Sequence, residues 1–257
     1  IIHITTKPVI ISSRINVEKK AVKQELIRDM NDPGWRIIFE ISKFFYNHEG
    51  LRNGNNIPMQ LQNLKHLNIN TLKNYTKKIY TPTNTLFVIS GNFHKASVLN
   101  LFKQHLPKNN CPGRTNMIFN YKKPINKSQT IFIPNKQAEV AEIVIAFLSP
   151  VYPWSKECPL FKLIRDILSG DMMSLFMKKL RSELHLVYNI GVNIESDPTG
   201  TLTTIETTGD EDKVEIIIKN ISDVLEDFLK GNFKDEQIQR VKDIYMIRED
   251  ALCKNTT

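Results

Sequence analysis

The chain has 257 residues, 41% hydrophobic and 24% charged, with 10 Gly and 12 Pro, which supports a sizeable core and excludes collagen-like, low-complexity and wholly disordered chains. Thirty-five Lys and Arg against 27 Asp and Glu give a formal charge of +8. The basic residues form short pairs interleaved with acids, such as Lys19-Lys20, Lys77-Lys78, Lys122-Lys123 and Lys178-Lys179; that pattern argues against a nucleic-acid partner.

No stretch reaches the run of about eighteen apolar residues that a membrane helix needs, so no membrane span is expected. The first ten residues carry no secretory signal pattern. Cys111, Cys158 and Cys253 stand alone without CxxC spacing, which suggests neither a disulfide framework nor a thiolate zinc site and favours a reducing compartment or organelle matrix. Six scattered histidines supply no i,i+4 pair, so the chain holds no two-histidine helical metal clamp.

In chain order, a helix is expected from Ser12 or Ser13 to Met30, and Asn31-Asp32-Pro33 then restarts a helix through about Asn47. Trp35, Ile38, Phe39, Ser42, Phe45 and Tyr46 recur at helical steps and make an aromatic-rich core stripe. Asn47 to Asn63, with Gly50, Gly54 and Pro58, reads as a loop, and Leu72, Tyr75 and Ile79 mark a helix stopped near Pro82. Leu86 to Ile89 reads as a buried strand before a helix carrying Val98, Leu99, Phe102 and Leu106.

Strands are then expected near Thr130 to Ile133 and Val140 to Phe147, helices near Lys156 to Leu168 and Met172 to Leu184, and a strand from Leu186 to Ile194. A hairpin turns at Asp197-Pro198-Thr199-Gly200 into Leu202 to Thr207, and helices from Glu211 to Leu229 and Lys234 to about Cys253 close the chain. The fold class is α+β, with an antiparallel-rich sheet packed against helices. Residues 1–107 form the first domain, 108–127 a linker and 128–257 the second domain.

Glu18 and Glu25 are seven residues apart, only about 20° from each other on a helical wheel. Val17, Ala21, Val22 and Leu26 flank that direction, so both carboxylates are expected to face inward. A buried carboxylate needs a cation, a metal or hydrogen bonds opposite it. Pairing with Lys or Arg of a neighbouring helix, or a solvated groove, is one reading; a metal ligand with a supporting carboxylate is the other.

Glu18-Lys-Lys-Ala-Val-Lys-Gln-Glu25, with Met30-Asn31-Asp32 and Trp35-Arg36, resembles the ExxxxxxE helix of the insulinase/pitrilysin zinc peptidases, the inverzincin or M16 family. Tyr80-Thr81-Pro82-Thr83-Asn84 and Phe87 to Asn92 resemble that family's YxPxN turn and its strand ending in Gly-Asn. Leu168-Ser169-Gly170, Leu175, Leu180-Arg181 and Tyr188 resemble its LGxGxxSxLxxxLRExxGLxY segment. The resemblance runs over roughly residues 8 to 250 and implies two α/β sandwich domains.

It also implies peptide hydrolysis by metal-activated water, with Zn2+ as cofactor, Glu25 as a zinc ligand and Glu18 as its supporting acid. Arg181 and Tyr188 match the pair that binds the peptide backbone and stabilises the tetrahedral intermediate. By pattern alone Tyr188 is a core tyrosine, in phase with Leu186, Ile190 and Val192, and Arg181 a solvated helix residue. His185 stands where the family usually has Gly, which bears on the pose of Tyr188.

The family's HxxEH helix, with two more zinc ligands and the general base, is not in this sequence, and the 24 residues before Glu25 are too few for it. It is expected upstream of residue 1, with the second domain continuing past Thr257, so the chain reads as an internal fragment, inactive alone. The short spacing between Glu25 and Arg181 resembles the two-domain, processing-peptidase-type members, which implies a homodimer or heterodimer acting on a peptide substrate. The alternative is a catalytically silent structural or regulatory subunit.

Overall fold

The computed structural model describes residues 8–46, 56–106, 128–135, 138–197 and 200–254. The chain divides into two compact units, one made of Ile1–Trp35 with Gly50–Asn120 and the other of Arg36–Glu49 with Tyr121–Thr257.

In the first unit, a 3-10 turn at Ser12–Arg14 leads into α1, Ile15–Met30. The next helix, α2, Pro33–Phe45, begins in the first unit and from Arg36 onward belongs to the second. It starts as its sequence directs: Asp32 Oδ1 accepts the Gly34 N–H at 2.8 Å, and Pro33 sits where no amide donor is needed. The first unit continues beyond it. Then come α3, Ile57–His66, α4, Ile69–Ile79, a 3-10 turn at Pro82–Asn84, and α5, Lys95–His105. Lys19 Nζ donates to Lys65 O at 3.1 Å and Leu67 O at 2.9 Å, placing a cation on the C-terminal carbonyls of α3 and docking α1 there.

Helix α3 corrects the expected loop, of which residues 47–55 lie outside the described residues. Asn56 Oδ1 accepts the Met59 N–H at 3.1 Å, and Pro58 occupies the first turn, where proline is tolerated. Leu86 to Ile89 is also corrected. It forms no strand and has no ladder partner among the described residues, and Leu86 and Val88 are 87% and 83% exposed. Phe87 between them is half-buried, edge-on to Phe102 with ring centres 4.8 Å apart.

In the second unit, β1, Ala141–Ser149, α6, Cys158–Ser169, a π-helical segment at Met177–Glu183, β2, Ile190–Asp197, and β3, Gly200–Gly209, precede α7, Val214–Leu229, and α8, Asp235–Lys254. The sheet order is β1-β3-β2, antiparallel throughout. Ile145 and Val192 flank Ile205, and Ile143 and Ile190 flank Thr207, so one face gathers the apolar side chains. That face joins Leu168, Phe176, Met177, Leu180, Ile217 and Ile221 in the core, each fully buried side chain contributing about 1.5–3 kcal/mol.

This is the expected α+β architecture. The hairpin closes with Asp197 opposite Gly200, whose φ of +145° suits glycine, and a Cβ there would stand 2.3 Å from Ser149 O; Pro198 and Thr199 lie outside the described residues. Thr130 to Ile133, expected as a strand, has no ladder partner among the described residues, and Phe132 is 81% exposed. The linker segment 108–127 lies outside the described residues. Among the described residues no helix is long and apolar enough to cross a membrane.

Candidate functional site

Helix α1 carries Glu18 and Glu25, and both side chains are exposed, as are Val17, Ala21 and Val22 beside them. The inward orientation expected from the apolar flank is therefore corrected. Ile15, Lys19, Leu26, Ile27 and Met30 form the half-buried arc, because the docking of Lys19 on α3 sets the rotation of the helix. Neither glutamate takes part in an ion pair among the described residues.

Within the described residues, no three His, Cys, Asp or Glu side chains are grouped to hold a metal ion. Catalytic zinc takes three protein ligands, whereas Glu25 offers one carboxylate. These residues do not by themselves fit a zinc ion.

Arg181 and Tyr188 lie in the second unit, on either side of a tight reversal. The π-helical segment is anchored by Met177 and Leu180, 5% and 0% exposed, which fixes the turn that presents Arg181. Leu184 N bonds Lys179 O at 3.1 Å and Leu186 N bonds Leu180 O at 2.9 Å, so the ladder widens and then ends. His185 takes up the reversal with φ 52°, a left-handed conformation costly for a residue with a Cβ.

Beyond it, Val187 and Ile190 are buried while Tyr188 between them is 79% exposed. Strand β2 starts only at Ile190, so Tyr188 escapes the strand alternation that would have made it a core residue. Thr207 Oγ1 donates to Asn189 O at 2.6 Å and holds the segment just after it. The guanidinium carbon of Arg181 then stands 4.6 Å from the centre of the Tyr188 ring. The structure thus joins this sequence-predicted pair into one surface feature, with a fixed cation over an aromatic face and a phenol open to solvent.

Sequence reading missed the support beneath this segment. Asp171 Oδ2 pairs with Arg240 of α8, while Asp171 Oδ1 accepts the Met173 N–H at 2.8 Å. Ser174, fully buried, donates its hydroxyl to Asp171 O at 2.6 Å. Ser169 Oγ accepts the Val192 N–H at 2.8 Å and ties the end of α6 to β2. The Asp-x-x-Ser spacing of Asp171 and Ser174 was the available signal, a local cap of the kind that opens helices.

A family model described as the peptidase M16 inactive domain matches residues 66–245, a span that includes both the YxPxN-like turn and the Arg181 segment. The chain belongs to the peptidase M16 family. No curated protein matches it in sequence.

Among solved structures, it is similar to a peptidase M16 inactive domain from Pseudomonas fluorescens, with TM-score 0.79 and 16% identity over 95% of this chain and 58% of that one. A protease from Helicobacter pylori gives TM-score 0.82 and 13% identity over 97% of this chain and 60% of that one. The periplasmic protease PqqL from Escherichia coli gives 0.73 and 16% over 98% of this chain and 28% of that one. At these identities the likeness is one of M16 fold, and this chain spans at most about three fifths of those relatives.

Proposed function

We propose that this chain is part of a zinc-dependent M16 endopeptidase subunit acting on peptides or unfolded polypeptide segments, in which Arg181 and Tyr188 grip the substrate backbone. The observation that carries the reading is the meeting of Arg181 and Tyr188. A half-buried guanidinium beside an exposed phenol offers donors to a peptide carbonyl and to the oxyanion that develops from it. Glu25 serves as one metal ligand and Glu18 as its support, the other ligands coming from residues outside this sequence. A second M16 subunit completes the working dimer.

A second reading has its own support: the matching family model is described as an inactive domain, which favours a silent structural or regulatory subunit. The two readings part in a longer natural chain containing these residues. Zinc determination and hydrolysis of a quenched fluorescent peptide are measured on the wild type and on Glu25→Gln and Arg181→Ala. About one zinc per chain, with hydrolysis lost in both variants, supports the peptidase. Absence of zinc, together with absence of hydrolysis in the wild type and both variants, leaves the silent subunit.

A further inference from the structure

The interleaving of basic pairs with acids fails at Lys77-Lys78 and Lys122-Lys123. Residues 50–138 contain thirteen Lys and Arg and no Asp or Glu, so the rest of the chain carries a net negative charge. Within that acid-free stretch, Lys65, Lys73, Lys77, Lys78, Lys95 and Lys103 are all exposed. Lys73, Lys77 and Lys78 take part in no salt bridge among the described residues.

Two of these lysines line a cleft. Lys73, Thr76, Lys77 and Tyr80 follow one another at i, i+3, i+4 and i+7 along α4 and its C-cap, and Pro8 and Ile10 complete the lining. Lys73 and Lys77 repel each other one turn apart, and no acid of the neighbouring sequence offsets them. Thr76 has its hydroxyl turned to Lys73 O at 3.0 Å, so among the described residues the free donors of this face are the two ammonium groups and the Tyr80 phenol.

We propose that this cleft binds acidic polypeptide in extended conformation. The proposal rests on the reading of the protein as a peptide-handling subunit. Its geometry is specific: Lys73 and Lys77 are separated by about 6 Å of helix rise, and alternate side chains on one side of an extended strand are about 6.6 Å apart. A Glu-x-Glu stretch therefore meets both ammonium groups at once, with its neighbouring apolar side chains against Ile10 and Tyr80. Lysines, as point charges without a planar fork, suit carboxylates of varied pose.

The test is fluorescence anisotropy of the 257-residue chain with a fluorescein-labelled dodecapeptide containing Glu-Val-Glu, with the corresponding Lys-Val-Lys peptide, and with an oligothymidylate of equal charge to the acidic peptide. Saturable binding of the acidic peptide, weakened by salt and at least tenfold weaker in Lys73→Glu/Lys77→Glu, supports the cleft. Lys95→Glu/Lys103→Glu changes the net charge equally and is expected to leave that binding within twofold. Equal losses in the two double variants, tighter binding of the oligonucleotide, or no binding of the acidic peptide overturns the proposal. Circular dichroism checks both variants, and Lys73→Gln/Lys77→Gln replaces the reversal if it fails to fold. Because the readout is binding, absent hydrolysis in the longer chain with this binding intact defeats the peptidase reading alone.

Discussion

Arg181 and Tyr188 are seven residues apart and meet with the guanidinium carbon 4.6 Å from the ring centre, yet neither belongs to the buried core. An exposed cation–π pair is worth about 0.5–1 kcal/mol. Tyr188→Ala is therefore expected to change the unfolding free energy by no more than about 1 kcal/mol, whereas Leu180→Ala, one residue before Arg181 and fully buried, costs about 2–5 kcal/mol. Urea denaturation of the two variants makes the comparison. A Tyr188→Ala loss as large as that of Leu180→Ala would mean that the tyrosine is held for packing.

Asp171 and Arg240 are joined across 69 positions of sequence, and the same carboxylate caps the turn at Met173. Asp171→Ala removes both bonds and leaves a half-buried guanidinium unpaired; a loss of about 1.5–3 kcal/mol is expected. Arg240→Met removes the charge along with its partner's bond and keeps the apolar stem, so its cost is expected to be smaller. The order of the denaturation midpoints decides the matter, and reversal of that order would show that the arginine stem carries the contact.

Much of this was legible because it is local. The Asp32-Pro33 start of α2, the β2–β3 hairpin and the amphipathic α7 each follow from neighbours a few residues apart. The rotation of α1 was not, since it is set by Lys19 reaching carbonyls 46 and 48 residues away. Val17 and Val22 made the glutamate side look like the buried one, but that side faces solvent. Likewise Leu86 to Ile89 has strand composition without a strand partner among the described residues, and ladders are made between segments. The pairing of Arg181 with Tyr188 came from a motif, and its cause, the left-handed His185, has no periodic signature.

His185 itself gives a prediction. At φ 52° its Cβ crowds the backbone, and a left-handed residue other than glycine costs roughly 1–2 kcal/mol. Glycine relieves that strain while adding freedom to the unfolded chain. His185→Gly is expected to stabilise the second unit by about 0.5–1 kcal/mol, and His185→Val to destabilise it, the β-branched side chain being least suited to this region. Thermal melts of both variants supply the measurement. Stabilisation by valine would show that the reversal is not strained.

Tyr46 follows α2 directly, half-buried, and hydrogen-bonds Asp197 at the end of β2, within the same compact unit. Burial above all, then the charge of Asp197, its hydrogen bond and the charge of Glu195, hold the phenol's pKa well above its ordinary value. The folded state therefore keeps the Tyr46 proton after the unfolded chain has released it at about pH 10. The stability from this group is complete below that pH and is lost as pH rises above it toward the folded-state value. Tyr46→Phe is expected to cost about 1 kcal/mol at neutral pH through the lost hydrogen bond and to flatten the decline of stability at alkaline pH. Denaturation curves for both proteins from pH 8 upward, a range chosen to span the ordinary tyrosine pKa of about 10, test this. Parallel declines would mean that Tyr46 titrates alike in the folded and unfolded chains, and that its docking on Asp197 contributes nothing to the alkaline limit.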